Sequence, residues 1–104
     1  FSKDKKKLGG SSLAQVLSAL GKATPSITDA AYFAKAFNAV QQLIQENLVL
    51  AGHDISSGGL ITTLLEMCFP TPDAGLNITH TFDADVVKEL FSENPGIVLQ
   101  IENN

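Results

Sequence analysis

The sequence predicts an α+β domain, a two-layer α/β sandwich in which helices cover one face of a mixed or antiparallel sheet. Four segments carry apolar residues at helical spacing, which predicts amphipathic helices. Between and after them lie short apolar or alternating runs bounded by turn residues, which predict strands. The predicted order is α-α-β-α-β-α-β, and 104 residues suffice for a single domain over residues 1–104.

The first predicted helix follows a glycine-rich loop, residues 8–12, that ends in a serine cap. Its apolar stripe has the spacing i, i+3, i+4 and i+7: Leu13, Val16, Leu17 and Leu20. Gly21 is the predicted end of this helix, because glycine is favoured in the position after a helix.

The second predicted helix begins after a connector containing Pro25, with Thr28 or Ser26 as its cap and Asp29 near its positive end. Its helical period is carried by four apolar residues, Phe33, Phe37, Val40 and Ile44. Asn47 is the predicted stop.

The middle of the chain predicts a strand, a loop and a helix. Residues 48–51 form a short apolar run that suits a buried strand, and residues 52–59 form the loop. The helix carries Leu60, Ile61, Leu64, Leu65 and Cys68, and Phe69 with Pro70 ends it.

The last third predicts a strand over 76–81, where Leu76, Ile78 and His80 alternate with polar residues. A helix capped by Asp83 follows, with a turn at 94–96 and a final strand over 97–101. Three strands are few for four helices, so we expect a chain truncated at both ends, with a missing strand or one supplied by a neighbour. Open sheet edges at such ends favour a homodimer in a crystal.

Composition excludes several classes of protein. The formal net charge of −4 and the sequence pI of about 4.9 argue against nucleic-acid binding, which needs a basic face. We find no apolar stretch near the roughly 20 residues of a membrane span. One cysteine cannot form an internal disulfide, and no Cys/His cluster suggests zinc. We therefore expect a soluble cytoplasmic protein in which Cys68 packs in the core.

The loop over residues 52–59 carries the strongest chemical signal. Glycines at a helix start let a phosphate approach backbone N–H groups, and the helix dipole favours the anion. An acid beside a phosphate is coherent if Mg²⁺ bridges them, which would make Asp54 a metal ligand and Ser56 a phosphate contact. The alternative is an ordinary capped turn, which the residue types alone favour because Asp, Ser and Gly are common in turns.

Other polar residues carry weaker signals. His53 could orient a ligand or contact phosphate, or simply pack against the sheet edge. Glu66 and Glu93 are predicted surface acids. The loop before the first helix lacks the GK[ST] ending of a P-loop, so a plain helix cap is favoured there.

Four stretches of the chain resemble the phosphoribosylformylglycinamidine synthase family, within the aminoimidazole ribonucleotide (AIR) synthetase superfamily. They occur in the family's order and span almost the whole chain: residues 8–16, 53–60, 62–67 and 90–101. The chain is most similar to the C-terminal subdomain of the second half of the family's synthetase region. It departs from the family at Ser57, where the family often has Asp.

The resemblance implies a function and a set of site residues. The family's enzymes are ligases of purine biosynthesis that convert formylglycinamide ribonucleotide to the amidine, using ATP, Mg²⁺ and ammonia from glutamine. It implies Mg²⁺ binding by Asp54 and ATP-phosphate contacts at Ser56, Gly58 and Gly59. Two further residues, Gly10 and Ser11, are implied to line the substrate cleft.

The resemblance also implies partners, namely the remaining synthetase subdomains and a glutaminase domain that holds the ammonia-producing cysteine, which Cys68 does not match. It implies a strand before Phe1, further structure after Asn104, and no catalysis by the 104 residues alone. Two alternatives stay open: a non-catalytic binding or assembly module of the same fold, and another ATP-using member of the superfamily, such as a selenophosphate or thiamine phosphate kinase relative.

Overall fold

The fold was obtained as a computed structural model that describes residues 4–79 and 85–103. Helices and strands occur in this order: α1 (Ser12–Val16), α2 (Ala30–Gln45), β1 (Val49–Ile55), α3 (Gly59–Cys68), α4 (Val86–Phe91) and β2 (Gly96–Ile101). The α+β class predicted from the sequence is confirmed.

The two strands form an antiparallel sheet, in which β1 pairs with β2 from Val49 opposite Ile101 to Ile55 opposite Gly96. The strand predicted over 76–81 is not found in its described part, residues 76–79; His80 and residue 81 lie outside the described residues. Leu76 and Ile78 remain 52% and 53% exposed. The alternating pattern suits a half-buried strand, but these residues have neither a pairing neighbour nor a buried face.

Helix α3 packs against β1, and α4 packs against α3. The Thr63 hydroxyl, 2% exposed, donates a 3.0 Å hydrogen bond to the Asp54 carbonyl. At the start of α3, a Cβ on Gly59 would lie 2.6 Å from the Phe91 carbonyl carbon. The absence of a side chain at Gly59 therefore sets how closely α3 approaches the end of α4.

Helix α1 is shorter than predicted. It ends at Val16, because Ser18 adopts a left-handed conformation (φ 55°). The Ser18 N–H donates to Gln15 and the Ala19 N–H to Ala14, which is the Schellman arrangement that closes a helix. The predicted end at Gly21 is wrong, since serine takes the position at which glycine was expected.

Aspartates cap the second and fourth helices. The Asp29 carboxylate accepts the Tyr32 N–H at 2.9 Å, so the predicted caps at Thr28 and Ser26 are wrong. The Asp85 carboxylate accepts the Val87 N–H at 2.9 Å and caps α4; the predicted cap Asp83 lies outside the described residues. At the other end of α2, Asn47 is left-handed (φ 58°) and confirms the predicted stop.

The best-buried side chains of the described residues are mostly polar: Ser11, Thr63, Ser92 and Asn94 are at most 3% exposed. The apolar stripe predicted for the first helix is largely on the surface, with Val16 81% exposed. The Cα radius of gyration is 14.9 Å, above the about 13 Å typical of a compact domain of this length. Much apolar surface is therefore left uncovered.

Candidate functional site

The first candidate residues lie on β1 rather than in a loop. The predicted loop over 52–59 is strand as far as Ile55, so that Asp54 is held in the sheet opposite Ile97. Its carbonyl accepts hydrogen bonds from the Thr63 hydroxyl and from His53 Nδ1. Its side chain is 76% exposed. The backbone of Asp54 is thus fixed by α3, while its exposed carboxylate lies 3.3 Å from His53 Nδ1.

His53 joins β1 to α3. Its Nδ1 lies 2.7 Å from the Asp54 carbonyl oxygen, and its Nε2 lies 2.7 Å from a carboxylate oxygen of Glu66. Both partners are acceptors, so only the doubly protonated ring satisfies both. The Asp54 carbonyl raises the pKa of His53 above 6.5, with the Glu66 carboxylate adding to it and burial opposing it. Glu66, 43% exposed, is a surface acid as predicted, yet it is bonded to this histidine.

The start of α3 provides the second group of candidates. Ser56 and Ser57 are exposed, Gly58 is half-buried and Gly59 is buried. Gly58 (φ +91°) and Gly59 (φ +77°) both have left-handed backbones, which favour glycine. The Gly59 N–H donates to the Ser56 carbonyl, and Gly58, the N-cap residue of α3, has no side chain of its own to cap the helix. Two exposed hydroxyl groups therefore follow Asp54 in the chain.

Glu93 lies between the two glycine-containing loops. One of its carboxylate oxygens accepts the N–H of Ser12 at 2.9 Å and the N–H of Gly58 at 2.9 Å. Burial raises its pKa, but hydrogen bonding from the backbone of Ser12 and Gly58 and from the Ser12 side chain outweighs that effect, and the pKa of Glu93 falls below 4.5. The prediction that Glu93 is a surface acid is wrong, because it is half-buried and bonded to the starts of α1 and α3.

The predicted substrate-cleft residues precede α1. Gly10 has a left-handed backbone (φ +72°), and its N–H donates to the Leu20 carbonyl at 2.7 Å. Ser11 is 1% exposed, and its hydroxyl caps α1 by accepting the Ala14 N–H. The structure gives Ser11 this local role, and its contribution to a substrate cleft stays a prediction.

The described residues do not hold a complete metal site. Among residues 4–79 and 85–103 no group of three His, Cys, Asp or Glu side chains could hold an ion. Asp54 offers one exposed carboxylate, which suits Mg²⁺, since that ion keeps several waters and takes one or two protein carboxylates. Cys68 is half-buried and donates its thiol to the Leu64 carbonyl. No helix of the described part is long and apolar enough to cross a membrane.

Protonation of Glu93 at low pH should lower the free energy of unfolding. The native state keeps this carboxylate charged below pH 4.5, where the unfolded chain takes up a proton, so stability is present above that pH and is lost as the pH falls. We expect Glu93→Gln to flatten the pH dependence of urea unfolding as the pH falls below 4.5. Glu102→Gln, an exposed position after β2, is the control. Equal slopes for wild type and Glu93→Gln would contradict the expectation.

Comparison with known proteins identifies clear relatives. Residues 2–101 match the family model described as AIR synthase related protein, C-terminal domain. The chain is 46% identical over 97% of its length to a probable phosphoribosylformylglycinamidine synthase, chloroplastic/mitochondrial, of Arabidopsis thaliana, and 40% identical over 92% to the human phosphoribosylformylglycinamidine synthase. It is also 41% identical over 95% to the major tegument protein of Epstein-Barr virus. These matches confirm the resemblance drawn from the motifs. The chain spans 7% of each relative's length.

Proposed function

Because this chain belongs to the family of AIR synthase related proteins, as their C-terminal domain, we propose that it supplies part of a Mg·ATP site in a phosphoribosylformylglycinamidine synthase. The whole reaction would be the ATP- and glutamine-dependent conversion of formylglycinamide ribonucleotide to its amidine in purine biosynthesis. Relatives that carry this enzyme's name at 40–46% identity support the proposal.

The single observation that carries the proposal is the junction of β1 and α3. An exposed carboxylate, Asp54, stands two residues before an exposed hydroxyl, Ser56, and the helix that follows starts at two glycines with left-handed backbones, Gly58 and Gly59. Oxygen ligands for a cation and donors for an anion are thereby brought next to each other, as a metal–polyphosphate complex requires.

In the proposed site each residue has a distinct task. Asp54 would hold Mg²⁺, Ser56 would donate to an ATP phosphate, and Gly58 and Gly59 would shape the turn beside that phosphate through their left-handed backbones. The Gly58 and Gly59 N–H groups already have protein acceptors, so the donor proposed for a phosphate is the exposed Ser56 hydroxyl. Bound Mg²⁺ would screen the charge between carboxylate and phosphates.

The proposal includes partners that complete the site. Among the described residues no group of three ligand side chains accompanies Asp54, so further metal ligands would come from other synthetase subdomains, with ammonia from a glutaminase domain. Exposed apolar side chains such as Leu50 (61%), Ile101 (62%) and Phe69 (75%) provide surface for packing against such neighbours. On this proposal the 104 residues alone do not catalyse the reaction; cytoplasmic location and homodimer formation stay predictions.

Ser56→Ala should weaken Mg·ATP binding by the natural polypeptide that contains this chain. One lost hydrogen bond to a charged phosphate corresponds to roughly a tenfold higher Kd. Isothermal titration with and without Mg²⁺ measures it, and Ser26→Ala, an exposed serine outside the elements, serves as the matched control. Unchanged affinity in Ser56→Ala would remove Ser56 from the site, and no Mg·ATP binding by the unaltered protein would overturn the proposed function.

A second candidate function is a non-catalytic module of the same fold. It is favoured by one observation, the 41% identity to a protein named for its place in the viral tegument and not for a reaction. One measurement separates the two candidate functions. If the chain is an assembly module, replacing Asp54 or Ser56 should leave synthetase activity unchanged.

A further inference from the structure

Glu93 connects the two loops that the proposed function uses. Its carboxylate receives one N–H from Ser12, 81 residues away in the sequence, and one from Gly58, 35 residues away. These are the first residue of α1 and the residue before α3. A single anion therefore satisfies backbone donors at the starts of two helices, where positive partial charge is concentrated.

The neighbours of Glu93 fix its position from both sides. Ser92 and Asn94 are each 3% exposed, and the Ser92 hydroxyl donates a hydrogen bond to the side-chain amide oxygen of Asn94. The Asn94 side chain also accepts the Lys7 N–H and donates to the Lys5 carbonyl. The segment 92–94 thus ties residues 5–7 to the end of α4, and Glu93 has little freedom to withdraw.

We propose that Glu93 is a positioning residue for the nucleotide site, holding the turn before α3 and the loop before α1 in one fixed arrangement. This inference rests on the proposed Mg·ATP site for its functional consequence. Because Glu93 takes up the Gly58 N–H, the turn at Ser56–Gly59 is set before any ligand arrives. A preset turn lowers the ordering cost of binding.

The first arm of the test measures the loops themselves. In the natural polypeptide that contains this chain, hydrogen–deuterium exchange is followed in peptides covering residues 8–16 and 53–60. Glu93→Ala is expected to speed exchange in both regions by roughly tenfold or more, as the loss of charged hydrogen bonds predicts. Peptides from α2 should be unaffected. Glu93→Gln keeps a neutral acceptor and should show a smaller effect, and it keeps the test valid if Glu93→Ala does not fold.

The second arm measures Mg·ATP affinity in the same variants. We expect a Kd raised about tenfold in Glu93→Ala, partial rescue in Glu93→Gln, and no change in Glu102→Gln. Faster exchange in only one loop, or wild-type affinity despite two loosened loops, would overturn the proposal. If the unaltered protein binds no Mg·ATP, the proposed function fails, while the exchange arm still decides whether Glu93 couples the loops.

Discussion

Replacing Asp54 with alanine is expected to reduce the proposed synthetase turnover of the natural polypeptide that contains this chain by roughly a hundredfold or more, the effect typical of losing a preorganised electrostatic contact. The reason is that Asp54 is the single exposed carboxylate offered by the β1–α3 junction. Glutamine hydrolysis, which depends on a different proposed domain, should continue. Turnover is measured as amidine formed per enzyme per unit time, with glutamate release followed in parallel.

The fold should survive this substitution, which makes the experiment decisive. The structural hydrogen bonds at Asp54 are accepted by its backbone carbonyl, from Thr63 and His53, and its side chain is 76% exposed. Asp54→Asn keeps the shape and removes the charge, so it should be nearly as inactive as Asp54→Ala. Glu102→Ala, on an exposed position beyond β2, controls for loss of an acid elsewhere. Normal amidine synthesis by Asp54→Ala would contradict the assignment of Asp54 as a metal ligand.

Local signals in the sequence were sufficient to predict where several helices begin and end. A serine cap before α1, Asn47 as the stop of α2 and the limits of α3 within one residue all follow from side-chain chemistry acting over one helical turn. The motif around Asp54 and Ser56 was found for the same reason, since its residues are contiguous. Local rules failed at the end of α1, where Ser18 adopts the left-handed conformation that was expected three residues later at Gly21.

Long-range pairings could not be predicted. β1 extends through Asp54 because β2 pairs with it as far as Gly96, and no pattern in residues 52–55 indicates this. Glu93 appears from the sequence to be one more acid beside a turn, and only the approach of α1 and α3 gives it two N–H partners. Glu66 likewise acquires His53 through the packing of α3 on β1. These contacts depend on topology, which a single sequence does not reveal.

Gly59→Ala is expected to destabilise the chain by about 3 kcal/mol or more. Alanine would have to adopt φ +77° with its Cβ 2.6 Å from the carbonyl carbon and 2.8 Å from the Cα of Phe91. Backbone atoms cannot rotate away, so α3 and α4 must separate and the buried contact between them is lost. For a domain of this size the change corresponds to a Tm lowered by roughly 10 °C or more, measured by thermal unfolding followed by circular dichroism.

Two other glycines separate the causes of this effect. Gly75→Ala should cost little, because a Cβ there has no atom within 4 Å. Gly58→Ala shares the left-handed strain, but its new Cβ meets the side chain of Thr62, which can change rotamer, so its loss of stability should be intermediate. A Tm for Gly59→Ala equal to that of Gly75→Ala would show that α3 and α4 are not held at the distance that Gly59 permits. The loss of stability on substitution by alanine is expected to increase in the order Gly75, Gly58, Gly59, because backbone contacts are less able to relax than side-chain contacts.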